Sequence, residues 1–117
     1  MNPPKKFAKP TSNSIRISLK RDSRFWVFLA KVYLKLFETV ELSAMGDAIS
    51  LAVRATDALS QKGLVDVVKI NTDTVAVEAV NEERKERREV KRPKIVIVLR
   101  KTKEFEKVAQ TIEVQFE

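Results

Sequence analysis

Val40-Glu41-Leu42-Ser43-Ala44-Met45-Gly46-Asp47-Ala48-Ile49-Ser50-Leu51-Ala52-Val53 changes its hydrophobic period in mid-run. Up to Ala44 the apolar residues alternate, the period of a strand with one face buried. From Asp47 they recur at helical spacing. Met45-Gly46 is the hinge between the two, and a glycine there lets another chain approach the backbone closely. The stretch therefore predicts a short strand over 40–44 that turns directly into a helix over about 47–62. On that helix Ile49, Ala52, Val53, Thr56 and Leu59 make one apolar face, and Leu51, Ala55 and Ala58 make a second. Asp47, Ser50, Arg54, Asp57 and Gln61 make the wet side. Gly63 is a fitting stop, because glycine tolerates the left-handed conformation that ends helices.

Towards the N-terminus, residues 14–20 alternate as well, with Ile15, Ile17 and Leu19 pointing one way and Arg16, Ser18 and Lys20 the other. Lys20-Arg21-Asp22-Ser23 ends that strand, and Asp22 or Ser23 is placed to cap the next helix by accepting a free backbone N–H. Residues 24–38 read as that helix. Phe25, Phe28, Leu29, Val32 and Leu36 lie on one face, Trp26, Tyr33 and Phe37 widen it, and Arg24, Lys31 and Lys35 form a narrow polar stripe. The aromatic residues sit inside a helical apolar pattern and so read as packing groups.

Towards the C-terminus, residues 65–70 form a third strand. The alternation changes phase at Asn71-Thr72-Asp73, which predicts a bulge there, and an extended segment continues over 74–80. Residues 81–93 break the pattern with a run of charge and read as a loop with a reach of roughly 20 Å. Residues 94–101 form a fourth strand, apolar on both faces over Ile95–Leu99, which suits a central or interface position. The order is β-α-β-α-β-β. Helical connections allow the early strands to lie parallel, and the charged loop joins the last two as a long hairpin. The fold class is α+β: a two-layer sandwich of a four-stranded mixed sheet with two helices on one face. Residues 1–13 are expected to be a disordered basic arm, residues 14–102 the folded domain, and residues 103–117 an acidic amphipathic tail whose structure the pattern leaves open.

The composition narrows the chemistry. With no Cys and no His in 117 residues, disulfides, the usual zinc and iron–sulfur sites and a Ser-His-Asp triad are all excluded. Asp47, Asp57 and Asp73 are dispersed along the chain, and no motif supplies a nucleophile with its base, so no enzyme and no cofactor is expected. No apolar run is long enough to span a bilayer, and no membrane partner is expected. The net charge of +7 is unevenly spread: residues 1–24 hold seven Lys/Arg against one Asp, and residues 82–103 hold ten against four Glu. Two basic segments flanking a nearly neutral core suit a protein that binds a polyanion.

Residues 40–53 also resemble the signature of the Alba superfamily, in which a short strand runs into a Gly-x-Ala-Ile-x-x-Ala-Val helix start. Gly46, Ala48, Ile49, Ala52 and Val53 match it. The resemblance covers about residues 14–101 and is greatest to the short plant-type Alba proteins. It implies a β-α-β-α-β-β fold similar to the C-terminal domain of translation initiation factor three. It also implies a homodimer, or a heterodimer with another Alba-like chain, that binds RNA or DNA in nucleus and cytoplasm, in chromatin or on RNA. Some eukaryotic relatives are subunits of ribonuclease P, so the alternative is a protein-interaction subunit of such a ribonucleoprotein. The family's basic pair after the first strand carries over to Lys20 and Arg21, with Arg24 beside them. Its hairpin arm carries over to Arg84, Lys85, Arg87, Arg88, Lys91 and Arg92. Gly46 is the motif glycine, where a backbone approaches. Archaeal members often carry basic residues beside that glycine; here Met45 and Asp47 flank it. Asp47 adds negative charge where phosphate would approach, which fits a shift from duplex DNA towards RNA. The expected function is non-enzymatic binding of RNA, with DNA or an RNA–DNA hybrid as further ligands, through backbone contacts of little sequence specificity.

Overall fold

The structure, a computed structural model, describes residues 5–112 and 114–116. Its centre is the antiparallel pairing of β3 (Thr39–Met45) with β5 (Glu86–Lys101). Val40, Leu42 and Ala44 stand opposite Leu99, Ile97 and Ile95, and all six are buried. On the outer side of β3 lies β2 (Ser14–Arg16), parallel to it; on the outer side of β5 lies β4 (Val65–Asn81), antiparallel. The sheet order is β2-β3-β5-β4, with helices α1 (Ser23–Leu34) and α2 (Ile49–Gln61) packed against it. This is the mixed sheet and helical layer expected for the α+β class.

The local elements follow the sequence signals with instructive departures. Asp22 is the cap of α1: its Oδ1 accepts the N–H of Phe25 at 3.1 Å. Gly63 adopts φ +72 after α2. A single turn of 3₁₀-helix, Gly46–Ala48, leads into α2. Ile15 and Ile17 are buried as expected, but Leu19 is 65% exposed, because the strand ends at Arg16 and the chain has left the sheet's alternation by then. The deepest residues of α1 are Trp26, Ala30 and Leu34, with Val32. Phe25, Phe28, Leu29 and Leu36 are only half-buried. A helix apolar nearly all round does not reveal by periodicity which side faces the sheet. Its expected polar stripe is also divided. Lys35 Nζ donates to the Ile112 carbonyl at 2.6 Å. Lys31 is half-buried, and its ammonium pKa is lowered first by burial and then by Lys62, which follows the last residue of α2.

Two corrections concern the C-terminal half. The bulge lies between Val67 and Lys69, not at residues 71–73. The charged segment 81–93 is not a loop. β4 and β5 pair continuously out to Asn81 opposite Glu86, leaving four residues, 82–85, to make the turn. Asn81 Oδ1 accepts the N–H groups of Glu83 and Arg84, an Asx-type closure. Lys85 takes a left-handed φ of 54 at the tip. Backbone pairing along a two-stranded ribbon needs no apolar alternation, so side-chain patterning hid it. The ribbon accounts for a molecule 53 Å long and 23 Å in its shortest dimension.

The terminal segments are also structured in part. Lys103–Ala109 is a third helix, α3, capped by Thr102, whose hydroxyl accepts the N–H of Phe105. Phe105 is fully buried in the core, and Val108, Ala109 and Ile112 pack against it. The packed unit thus runs beyond residue 102. β1 (Lys5–Phe7) pairs in parallel with β6 (Val114–Phe116), so part of the expected basic arm is in a strand. Residues 1–4, 113 and 117 lie outside the described residues. Among the described residues no helix is long and apolar enough to cross a membrane.

If α3 belongs to the core, Phe105→Ala removes a fully buried aromatic ring and lowers the unfolding free energy by about 3–5 kcal/mol. Urea denaturation measures this; a loss under about 1 kcal/mol, the scale of a surface change, shows that α3 is peripheral.

Candidate nucleic-acid interface

The register of β3 and β5 sets Met45 beside Lys94, at the level where the sheet gives way to the free ribbon. The parallel pairing of β2 sets Arg16 beside Ser43. With the turn that follows β2, these residues enclose a cleft of about 640 Å³. Arg16, Lys20 and Lys94 are among its lining residues, and no carboxylate is. Arg92 comes to the same place from the ribbon, its Nη1 3.6 Å from the position a Cβ on Gly46 would take. Lys20, Gly46 and Arg92, distant in sequence, therefore come to the base of the ribbon: Lys20 lines the cleft, and Gly46 with Arg92 adjoins its Met45 and Ala48 wall. Arg16 and Lys94 join them. The sequence pattern places these two only on the outer face of one strand and at the start of another. Nothing in their local sequence distinguishes them, since the strand register alone brings them there.

The remaining basic residues of the turn are partly engaged. The Arg21 guanidinium lies over the Phe25 ring, 4.8 Å from its centroid, and the Arg21 carbonyl accepts the Trp26 indole N–H at 3.3 Å. Arg24 pairs with Asp22 at 3.1 Å, with both side chains largely in solvent. Asp22 is held below the usual carboxylate range first by the Phe25 N–H and then by Arg24. The N-terminus of α1 is thus served by its own carboxylate.

The ribbon's cations divide by strand alternation. Arg87 and Lys91 extend the side on which Ile95 and Ile97 meet the core; they share it with Glu89 and Glu78, and Arg87 Nε lies 3.4 Å from Glu78. Arg88 and Arg92 extend the opposite side with Lys94. There they stand across from Ala79 and Val75, with Val90 and Val77 as a half-buried pair between them. The first side largely neutralises itself; the second presents two arginines with no acid directly opposite, although Glu86 shares that side at the tip end and Asp73 stands opposite Lys94 at its base. Arg84 and Lys85 are carried at the tip, roughly 27 Å from Lys94 at about 3.3 Å per residue. Among the described residues no three acidic side chains cluster closely enough to hold a metal ion.

A mixed four-stranded sheet in the order β2-β3-β5-β4, two helices against it and a basic ribbon leaving one end define an Alba-like α+β fold. Comparison with known proteins agrees. The family model described as Alba matches residues 13–74. A protein of Arabidopsis thaliana described only as uncharacterised is 36% identical over 97 residues, covering 82% of this chain and 72% of that one. The crystal structure of ALBA1 from Trypanosoma brucei superposes with a TM-score of 0.67 at 26% identity, covering 88% of this chain and 81% of that one. Alba from Thermoplasma volcanium superposes with a TM-score of 0.63 at 21% identity over 75% of this chain and 99% of that one, a likeness of fold. The chain belongs to the Alba family, whose members bind nucleic acids, form oligomers and are generally not enzymes.

Two outcomes check this geometry. Gly46 sits at φ +60, so Gly46→Ala should cost about 1–2 kcal/mol in urea denaturation from the left-handed backbone alone. The added Cβ only touches Arg92 at ordinary distance, so a much larger loss would mean the base of the ribbon is packed more tightly than described. Asp22→Ala tests the cap through pH. A carboxylate whose folded pKa lies below its ordinary 3.8 adds stability above that value and loses it as pH falls through the folded one. The gap between wild type and Asp22→Ala should stay constant down to about pH 5 and close in more acidic solution.

Proposed function

We propose that this protein binds RNA as a dimer, without catalysis, by gripping the phosphate backbone at the base and along one side of the β4–β5 ribbon. The observation that carries the reading is the meeting of Arg16, Lys20 and Lys94 around one cleft, with Arg92 over Gly46 beside it. Long cations presented together release counterions when they neutralise phosphates. Arg21, Arg88 and the tip residues Arg84 and Lys85 continue the contact. Arg24 and Arg87 contribute less, because Asp22 and Glu78 already offset them; Lys91 shares its side of the ribbon with Glu78 and Glu89. The cations gathered at the base of the ribbon are placed for phosphate, and phosphate contacts carry no base sequence, so sequence specificity is weak and duplex DNA or a hybrid is a secondary ligand.

Dimerisation is supported by an apolar strip. Val53 on α2 and Val67, Val68 and Ile70 on the edge strand β4 are exposed, and the buried Thr56 hydroxyl has no hydrogen-bond partner among the described residues. Val67 and Ile70 stand opposite the buried Leu99 and Ile97, so they continue the core side of the sheet past its helical cover. The same strip favours a second reading, a protein-interaction subunit of a ribonuclease P-type ribonucleoprotein. The Ile95–Leu99 segment that suggested such a partner in sequence has its odd positions inside this chain's own core.

The test is binding to single-stranded RNA, duplex DNA and hybrid at rising salt, with light scattering beside it. If the four cations at the base each meet one single-strand phosphate, log K should fall with log salt at a slope of about −3. Lys20→Glu with Arg21→Glu should weaken all three ligands together by about tenfold or more, and Arg88→Glu with Arg92→Glu should do likewise. An affinity flat with salt overturns the reading. A chain that aggregates alone and binds no RNA favours the partner-subunit alternative.

A further inference from the structure

We infer that the cleft at the base of the ribbon receives one unpaired nucleobase of single-stranded RNA; this deepens the RNA-binding reading and rests on it. A site for phosphate alone needs cations and N–H groups. This one also exposes large apolar side chains between its cations. Leu19 is 65% exposed and Met45 is 38% exposed, and both line the cleft beside Lys20 and Lys94. Leu19 is displayed where strand alternation would have buried it. Met45 occupies the position that precedes the left-handed Gly46. Behind them the cleft is closed by buried Ile17, Ala44 and Ala48, so its floor is apolar while its rim is cationic.

That combination matches a nucleotide splayed out of a stack. Its base has two apolar faces that pack between aliphatic side chains, and the phosphates on either side of it are anionic. The volume of about 640 Å³ falls within the range of roughly 300–1,000 Å³ typical of small-ligand sites. Among the described residues Arg16, Lys20 and Lys94 make no ion pair, and Arg16 and Lys20 are the freer for the flanking phosphates, because Asp73 on β4 stands directly opposite Lys94. Two hydroxyls favour ribose. Ser18 Oγ accepts the Lys20 N–H at 3.4 Å, and Ser43 Oγ donates to the Ile15 carbonyl at 3.5 Å. Ser18 retains its proton and Ser43 its lone pairs for a 2′-hydroxyl or a base edge. A base held in a double helix cannot enter such a cleft without unpairing, so the site selects single strands over duplexes.

The test uses the full-length chain and a ten-nucleotide RNA carrying 2-aminopurine at one position, with matched RNAs in which that position is abasic or the whole strand is DNA. Binding should change the 2-aminopurine fluorescence, and the base-bearing RNA should bind about fivefold tighter than the abasic one. Leu19→Ser and Met45→Ser, both at exposed positions, should each bring that ratio towards one. Salt-dependent binding with equal affinity for base-bearing and abasic RNA overturns this inference and leaves the phosphate-gripping reading intact. Loss of salt-dependent binding altogether overturns both. Equal affinity for DNA of the same sequence overturns the choice of ribose. A change from dimer to monomer in Leu19→Ser assigns the cleft to a second copy of the chain and overturns the inference as well.

Discussion

The antiparallel register of β3 against β5 is the constraint on which the rest depends. Val40, Leu42 and Ala44 face the core only because they stand opposite Leu99, Ile97 and Ile95. Strand side chains alternate with a period of two, so a slip of one residue would turn every one of them to the outer face. The same register places Met45 at Lys94, where the core ends and the ribbon begins. Core and cleft are therefore two readings of one pairing. The site cannot shift without exposing the hydrophobic interior, and that interior gives it a rigid base.

Charge is organised in a comparable way. The ribbon carries six Lys/Arg and four Glu between residues 82 and 92, a mixture that would largely cancel if it were spread evenly. Pairing sorts it. Arg87 and Lys91 fall on the side with Glu78 and Glu89, while Arg88 and Arg92 fall on the side with Val75, Val77 and Val90. One side is close to neutral; the other keeps Arg88 and Arg92 next to an apolar strip, with Glu86 at its tip end and Asp73 opposite Lys94 at its base. Near α1, Asp22 makes the cap and draws Arg24 to itself, leaving Lys20 to the cleft and Arg21 on the Phe25 ring. Basic composition alone overstates the number of cations free for a polyanion, and placement selects among them.

The C-terminal segment shows how an acidic surface can conceal a structural role. Glu104 and Glu106 make residues 103–109 look like a solvated tail, yet they pair with Lys107 and Lys101 while Phe105 between them fills the core. Lys101 Nζ also donates to the Leu34 carbonyl and Lys35 Nζ to the Ile112 carbonyl. Both lysines tie the end of α1 to this segment instead of meeting an external anion.

The sequence alone determined the order of the elements between residues 14 and 101, the α+β class, a helix start at Asp22 or Ser23, the helix end at Gly63, the strand-to-helix junction at Gly46 and the location of the basic segments. Each of these depends on neighbours within a few residues, where period, capping chemistry and backbone freedom act directly. It did not determine that residues 86–93 are strand, that the bulge falls at Val68, that Trp26, Ala30 and Leu34 are the inward side of α1, or that Phe105 belongs to the core. Those outcomes are selected by partners tens of residues away: Asn81 for Glu86, the sheet for α1, the rest of the core for Phe105. The candidate site divides the same way. Lys20, Gly46 and Arg92 were legible one at a time from charge and motif. Their meeting, and the addition of Arg16, Lys94, Leu19 and Met45, was decided by strand register, a pairing between distant segments that no local stretch of sequence encodes.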